Sequence, residues 1–271
     1  MFTKIGFIGT GNMGSALAKA ADKGAAEGAV LYLANRTPAK AEALCAQLAH
    51  ARMSTNEEIA QSCDLIFLGV KPQRMAQLLR ELSPLLAERA DRFVLASMAA
   101  GLATETLQEM VGTPYPVIRL MPNTPVSVGA GVIQYCGKGT THEELVSFET
   151  LMAPAGLVDR INENLSDAAL SLSGCGPAFC AMLMEALADG GVACGLPREK
   201  AQKYTNQMVM GAAKLMMETE IHPGVMKDGV CSPGGTTIQG IRTLEERGFR
   251  SACMEAVIAA YERTLALGKK D

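Results

Sequence analysis

The chain has no tryptophan, and aromatic residues make up only 4% of its 271 residues. That scarcity argues against the stacking platforms that hold single-stranded nucleic acid. Histidine occurs three times, at positions 50, 142 and 222, with no two at ligand spacing, and the eight cysteines contain no C-x-x-C pair. Zinc and disulfide readings therefore both fail. The cysteines read as small buried hydrophobes in a reducing cytosol. Neither charge is in excess: 25 basic and 28 acidic residues give a net charge of −3. Nucleic acid is not an expected partner of so balanced a chain. No basic-then-apolar leader opens the sequence, and strand-like residues begin at Lys4, so the expected location is cytoplasmic. The uncharged run 168–184 falls short of the ~20 residues a membrane span needs and contains Gly174, Gly176 and Pro177. It reads as buried protein. Apolar residues are not lacking, at 48% against 20% charged, which excludes intrinsic disorder. Length divided by ~150 gives one large or two modest domains.

Strand-like and helix-like segments alternate over the first ~120 residues. Strands are expected at 4–9, 30–34, 64–70, 93–97 and 117–121, each short and apolar as strands buried on both faces should be. Helices are expected between them at 12–27, 38–49, 73–88 and 104–110, with Thr37-Pro38 as a helix start. This alternation implies right-handed βαβ units and a parallel sheet. Two weaker strands, 131–135 and 157–161, flank a helix near 143–152. After Leu165 only helices are expected, at 177–195, 197–220, 236–247 and 250–267. The expected class is α/β: a Rossmann-like N-terminal domain with a mostly parallel sheet over 1–162, and an all-α C-terminal domain over 163–271. The apolar positions of 177–187 run almost all the way round their helix, so it must be covered on every side. A helical domain this small offers few partners of its own, and packing against a second copy is expected.

Gly9-Thr10-Gly11-Asn12-Met13-Gly14 is G-x-G-x-x-G, placed after the first strand and opening a helix. That context marks dinucleotide binding. Gly9 permits the tight turn, Gly11 lets the backbone approach a pyrophosphate, and Gly14 lets helix and strand pack closely. The helix N-terminus then presents free N–H groups to the pyrophosphate. NAD enzymes carry Asp or Glu at the end of the second strand to read the ribose 2′-hydroxyl. Here that window is Ala34-Asn35-Arg36-Thr37, with no carboxylate. Asn35 and Thr37 can donate hydrogen bonds, and Arg36 offers a cationic fork suited to a phosphate, so NADPH is expected over NADH. Lys71, in Gly69-Val70-Lys71-Pro72, is either a phosphate or ribose contact or a rim charge. The small residues of Ser97-Met98-Ala99-Ala100-Gly101 either admit a nicotinamide ring or simply pack helix on sheet.

Four further stretches complete a pattern: Arg119-Leu-Met-Pro-Asn123-Thr-Pro125, Leu172-Ser-Gly-Cys-Gly-Pro177-Ala, Glu185-Ala-Leu-Ala-Asp-Gly-Gly191-Val and Ser232-Pro-Gly-Gly-Thr-Thr237-Ile. With Gly9–Gly14 and Val70-Lys71-Pro72 the chain resembles the pyrroline-5-carboxylate reductase family, in order from residue 4 to about 265. The resemblance implies a helical domain that dimerises, often into larger rings. It also implies reduction of L-1-pyrroline-5-carboxylate to L-proline with NADPH or NADH, the last step of proline biosynthesis. It places cofactor contacts on Gly9, Thr10, Gly11, Asn12, Met13, Gly14, Asn35, Arg36, Thr37, Asn56, Val70, Lys71 with Pro72, and Ala99. It places substrate on Ser232, Gly234, Gly235, Thr236 and Thr237, with Glu220 nearby. Met98 departs from relatives that carry Cys there, at a position where the backbone is what a ring would need.

The implied substrate is a five-membered cyclic imine bearing a carboxylate. Gly234-Gly235-Thr236-Thr237 before a helix offers free N–H groups and two hydroxyls to that carboxylate. An ordinary Pro-Gly-Gly turn with Thr as N-cap also fits. Thr237 is the expected catalytic residue, hydrogen-bonding the ring nitrogen. Either the substrate arrives as the iminium and Thr237 orients it, or a water relays the proton. Glu220 either favours the cationic ring or is a solvated helix-end carboxylate. The substrate loop is expected to meet the cofactor domain of the other chain. Two rivals remain: an NADPH-dependent reductase of another small imine or keto acid, and a non-enzymatic NADPH-binding sensor. Hydroxyacid dehydrogenases of this architecture want a lysine on a central helix of the second domain, and 177–195 has none.

Overall fold

Short apolar segments set between amphipathic ones build a doubly covered sheet. The computed structural model describes residues 1–268, and positions 269–271 of the expected helical domain lie outside the described residues. The strands are β1 (Lys4–Ile8), β2 (Val30–Ala34), β3 (Ala51–Met53), β4 (Leu65–Leu68), β5 (Val94–Ser97), β6 (Val117–Pro122), β7 (Gly131–Lys138) and β8 (Gly156–Arg160). They form one sheet in the order β3-β2-β1-β4-β5-β6-β7-β8. Neighbours run parallel except β6 and β7, which are antiparallel. Every residue of β4 and β5 is buried, as a sheet covered on both faces requires. The covering helices are α1 (Asn12–Gly24), α2 (Pro38–Cys45), α3 (Asn56–Ser62), α4 (Pro72–Ala87), α5 (Thr104–Val111) and α6 (His142–Met152). On one face Phe7 stacks on Phe67 with centroids 4.4 Å apart, and Leu17 of α1 and Phe148 of α6 join the same cluster. On the other, Ile66 and Leu95 pack with Ile59, Leu79 and Leu107.

The remaining helices are α7 (Ser166–Ser173), α8 (Gly176–Ala193), α9 (Arg198–Thr219), α10 (Pro223–Gly229), α11 (Thr236–Glu246) and α12 (Phe249–Gly268). Two compact units result, one of residues 1–174 with residues 261–268, the other of residues 175–260. In the second unit α8 packs on α9, and Ala188, Ala201 and Thr205 are its buried residues. Phe179, Met182, Met208, Met210, Met217, Met254 and Ile258 are exposed. The segment 163–193 is long and apolar enough to cross a membrane by length and composition, with 6% of its most apolar window buried. Its first part does not stand free, because α7 is tied to the sheet. Arg119 of β6 donates to Asp167 at 2.9 Å, Asn123 donates to the Ser173 carbonyl at 3.0 Å, and Gln134 of β7 bonds Ser173 as well.

Several boundaries differ from the sequence expectation for identifiable reasons. The second helix stops at Cys45 instead of 49, because the Asp22 carboxylate takes the N–H groups of Ala49 and His50 at 3.1 and 2.8 Å. The first stops at Gly24 instead of 27, since Ala25 is already extended. Thr37 precedes α2 as expected, but its side chain makes no capping bond. Burial holds for Cys63 and Cys136 only in part of the expected pattern: Cys180, Cys194 and Cys253 are exposed, on helices that a single chain leaves uncovered. Burial pushes the Cys63 thiol up to about 12, despite a hydrogen bond from Ser62.

Candidate active site

The chain begins in the middle of the sheet, moves outward through β2 and β3, then returns to lay β4 on the other side of β1. At such a switch point the loops leaving adjacent strands diverge and open a crevice. A cleft of about 810 Å³ lies there, walled by Gly9 and Gly11, by Asn35 and Arg36 after β2, by Asn56, and by Gly69, Val70 and Lys71 after β4. Thr10, Asn12, Met13, Gly14, Thr37 and Pro72 flank it in sequence without lining it. Ala99 is buried in the cluster of Leu95 and Leu102, so only its backbone is on offer.

Three observations show that the cleft fits a dinucleotide. A Cβ on Gly9, whose φ is +100°, would lie 2.6 Å from the Gly69 carbonyl, and one on Gly14 would strike the Gly9 carbonyl. A Cβ on Gly11 would meet only open space. The N-terminus of α1 has Gly11 as its N-cap, no side-chain cap and no acidic residue in its first turn. Its leading N–H groups are therefore left for an anion. Four cations, Arg36, Lys40, Lys71 and Arg74, face the cleft against Glu57 and Glu81.

Sequence reasoning missed Lys40, Ser54, Thr55 and Arg74 on these walls. Lys40 had a usable signal, since it lies in the first turn of the helix that follows Arg36. Ser54 and Thr55 follow β3, a three-residue edge strand with Arg52 at its centre, which has no apolar pattern to announce it. Thr55 and Glu58 did carry the N-cap spacing of α3, and the Thr55 side chain accepts from the Glu58 N–H at 3.1 Å.

In the second unit, Ser232-Pro233-Gly234-Gly235 closes a turn by a hydrogen bond from the Gly235 N–H to the Ser232 carbonyl at 3.0 Å. Gly234 has φ +70°, with proline before it, as a type II turn demands. Gly235 is the N-cap of α11, and no side chain caps that helix. The N-cap is thus the glycine and not a threonine. Thr236 and Thr237 occupy the first two helical positions, both exposed, with neither hydroxyl spent on capping.

A family described as pyrroline-5-carboxylate reductase dimerisation matches residues 163–267. One described as NADP oxidoreductase, coenzyme F420-dependent, matches residues 4–106. A pyrroline-5-carboxylate reductase of Synechocystis is 46% identical over 217 residues, 79% of each chain. That of Escherichia coli is 38% identical over 274 residues, covering 99% of this chain and all of that one. The chain belongs to the pyrroline-5-carboxylate reductase family. Solved structures agree: the Coxiella burnetii reductase superposes with a TM-score of 0.89 at 31% identity, covering 98% of both chains. The Plasmodium falciparum enzyme, with NADP bound, gives 0.83 at 32% identity, again covering 98% of both.

The fold gives several family motifs a physical meaning. Asn123 of the Met-Pro-Asn-Thr-Pro stretch accepts from the Val132 N–H at 2.9 Å while donating to Ser173, so it locks the β6–β7 connection to the end of α7. Arg119, from the start of that stretch, is 5% exposed and reaches both Asp167 and Glu163. Burial works to raise the Glu163 carboxyl, but the hydroxyl and N–H of Thr104, both at 2.7 Å, and the Arg119 charge outweigh it and hold it below its usual range. Asp189 of the Glu185–Val192 stretch pairs with Arg198 at the start of α9. Glu220 ends α9 with φ +53°, the one non-glycine residue in left-handed backbone among the described residues. Such a conformation is costly for a residue with a Cβ.

Proposed function

We propose that this protein reduces L-1-pyrroline-5-carboxylate to L-proline by hydride transfer from NADPH, with NADH accepted less well, as the last step of proline biosynthesis. One observation carries the reading. The segments bearing the family's cofactor and substrate signatures each end in a glycine turn that opens a helix with no side-chain cap. A dinucleotide pyrophosphate and a small carboxylate are the two anions this reaction must hold.

The bound nicotinamide supplies the hydride. Gly9, Gly11 and the leading N–H groups of α1 receive the pyrophosphate. Arg36, with Lys40 beside it in the cleft, attracts a 2′-phosphate. Lys71 and Val70 serve the phosphates or the nicotinamide ribose, and Asn56 closes the adenosine side. In the second unit, the turn of Ser232, Gly234 and Gly235 presents the leading N–H groups of α11, which with the Thr236 hydroxyl grip the substrate carboxylate. Thr237 orients the ring nitrogen. An unperturbed threonine hydroxyl is a poor acid, so the proton comes with the substrate as iminium or through a water. Glu220 favours the cationic ring.

Residues 1–162 act as the cofactor domain and 163–271 as the domain for self-association and substrate. The exposed apolar faces of α8 and α9 meet a second copy, in a homodimer or a ring of dimers, and not lipid or nucleic acid; the setting is the cytoplasm. The decisive assay follows NADPH absorbance with pyrroline-5-carboxylate, then with open-chain keto and hydroxy acids. Oxidation with the cyclic imine alone is expected. Turnover of open-chain acids would favour the other reductases, and binding without turnover a sensor.

A further inference from the structure

At its C-terminal end β2 stops before β1 has finished turning into the glycine loop, and a side chain takes over the ladder. Ile8 pairs with Ala34 in the last rung. The Gly9 N–H then donates to the Ala34 carbonyl at 2.8 Å. The chain after Ala34 swings away toward α2, so the next donor, the Thr10 N–H, is met by the Asn35 carboxamide instead, whose Oδ1 accepts it at 3.2 Å. The other end of the same amide donates through Nδ2 to the Thr37 carbonyl at 3.0 Å. Thr10 is buried and its own hydroxyl finds no partner, so its side chain does nothing to pin the loop.

We propose that Asn35 is a positioning residue: it holds the Gly9–Gly14 turn and the entry to α2 in one fixed arrangement, and so serves NADPH and NADH equally. This rests on reading the cleft as a dinucleotide site. A carboxamide has two N–H donors and one oxygen acceptor, and the bridge uses both ends of it. Phosphate discrimination falls to its neighbour Arg36, which is exposed on the cleft wall. Without the bridge the Thr10 N–H loses its acceptor, and the loop that presents the α1 N–H groups loosens. Those groups face the part of the ligand common to both cofactors.

The test is a set of affinities, for NADPH, NADH, ADP and adenosine 2′-monophosphate, in the wild type, Asn35→Ala and Arg36→Ala, with melting curves alongside. The wild-type titration comes first, and a wild type that binds neither dinucleotide overturns the reading of the cleft and this proposal with it. In Asn35→Ala, NADPH, NADH and ADP should all weaken by about tenfold, the scale of a donor stripped of its acceptor, with the NADPH/NADH ratio kept within about twofold. Asn35→Asp keeps the acceptor for Thr10 and should hold ADP near the wild-type affinity, which covers the case in which the alanine variant fails to fold. A loss confined to NADPH and adenosine 2′-monophosphate would make Asn35 a phosphate contact and overturn the proposal. So would a lower melting temperature with all affinities intact.

Discussion

Arg36 and Thr237 are the two side chains on which the functional reading makes the sharpest demands. Arg36 stands where an NAD-specific chain would place a carboxylate, and a charge-assisted hydrogen bond to a phosphate contributes about 1.5–3 kcal/mol. Arg36→Ala should therefore cut the NADPH/NADH preference by about 10-fold or more, read as the ratio of dissociation constants. Lys40 faces the same cleft, so Lys40→Ala added to it should reduce the ratio further; an unchanged ratio in the double variant would remove both from this role. Thr237 is exposed at the second position of an uncapped helix, so replacing it removes a hydroxyl without opening the core. Thr237→Ala should lose ~10²-fold in turnover, the low end of acid–base and orienting contributions, with NADPH affinity unchanged. Near wild-type turnover would refute it. Much of this was legible from residue types alone: the glycines at 9, 11 and 14, the missing carboxylate at 35–37 and the Pro-Gly-Gly-Thr-Thr run. The use of Asn35 was not, because which way an amide bonds depends on where its strand stops.

The elements that escaped sequence reading, β3, α3, α7 and α10, have between three and eight residues each. They lack the unbroken four-residue apolar run that announced β4 and β5 at similar length. Their positions are fixed instead by polar ties, and α7 is the clearest case. Glu163 sits just before it, capping α5 through Thr104 and pairing with Arg119, which also holds Asp167 at the start of α7. Because these partners depress the Glu163 carboxyl despite its burial, its contribution to stability is fully present above the ordinary glutamate value near 4.5 and is lost as pH falls through the lower folded value. Glu163→Gln should lower the melting temperature at neutral pH by on the order of a few degrees. The gap from wild type should close below pH 4.5, as protonation does to the wild type what the substitution does to the variant. A gap that stays constant into acid would show that the charge contributes nothing.

Across the whole molecule, what a single chain leaves unburied is as informative as what it buries. The sheet unit has two dense clusters, while the helices of residues 175–260 have few buried residues and expose Phe179, Met182, Met208 and Met217. The all-round apolar pattern of 177–187 announced this in the sequence, because such a helix has no polar face to give to water. Sequence could not say how the cover is arranged, since that depends on a second copy and not on local pattern. A charge placed on this surface separates self-association from folding. Met182 is 74% exposed in the single chain, so Met182→Arg disturbs none of its own core, yet in a dimer interface it would strand a cation without water, which is costly unless paired. Combined with Met208→Arg on α9, a like charge that cannot pair with it, it should yield a monomer by sedimentation that keeps NADPH affinity, since every residue lining the cleft lies in the sheet unit. Turnover of pyrroline-5-carboxylate should fall by ~10²-fold or more, because a mispositioned substrate site forfeits most of the advantage of holding donor and acceptor carbons in contact. A monomer with full activity would mean that one chain completes the site unaided.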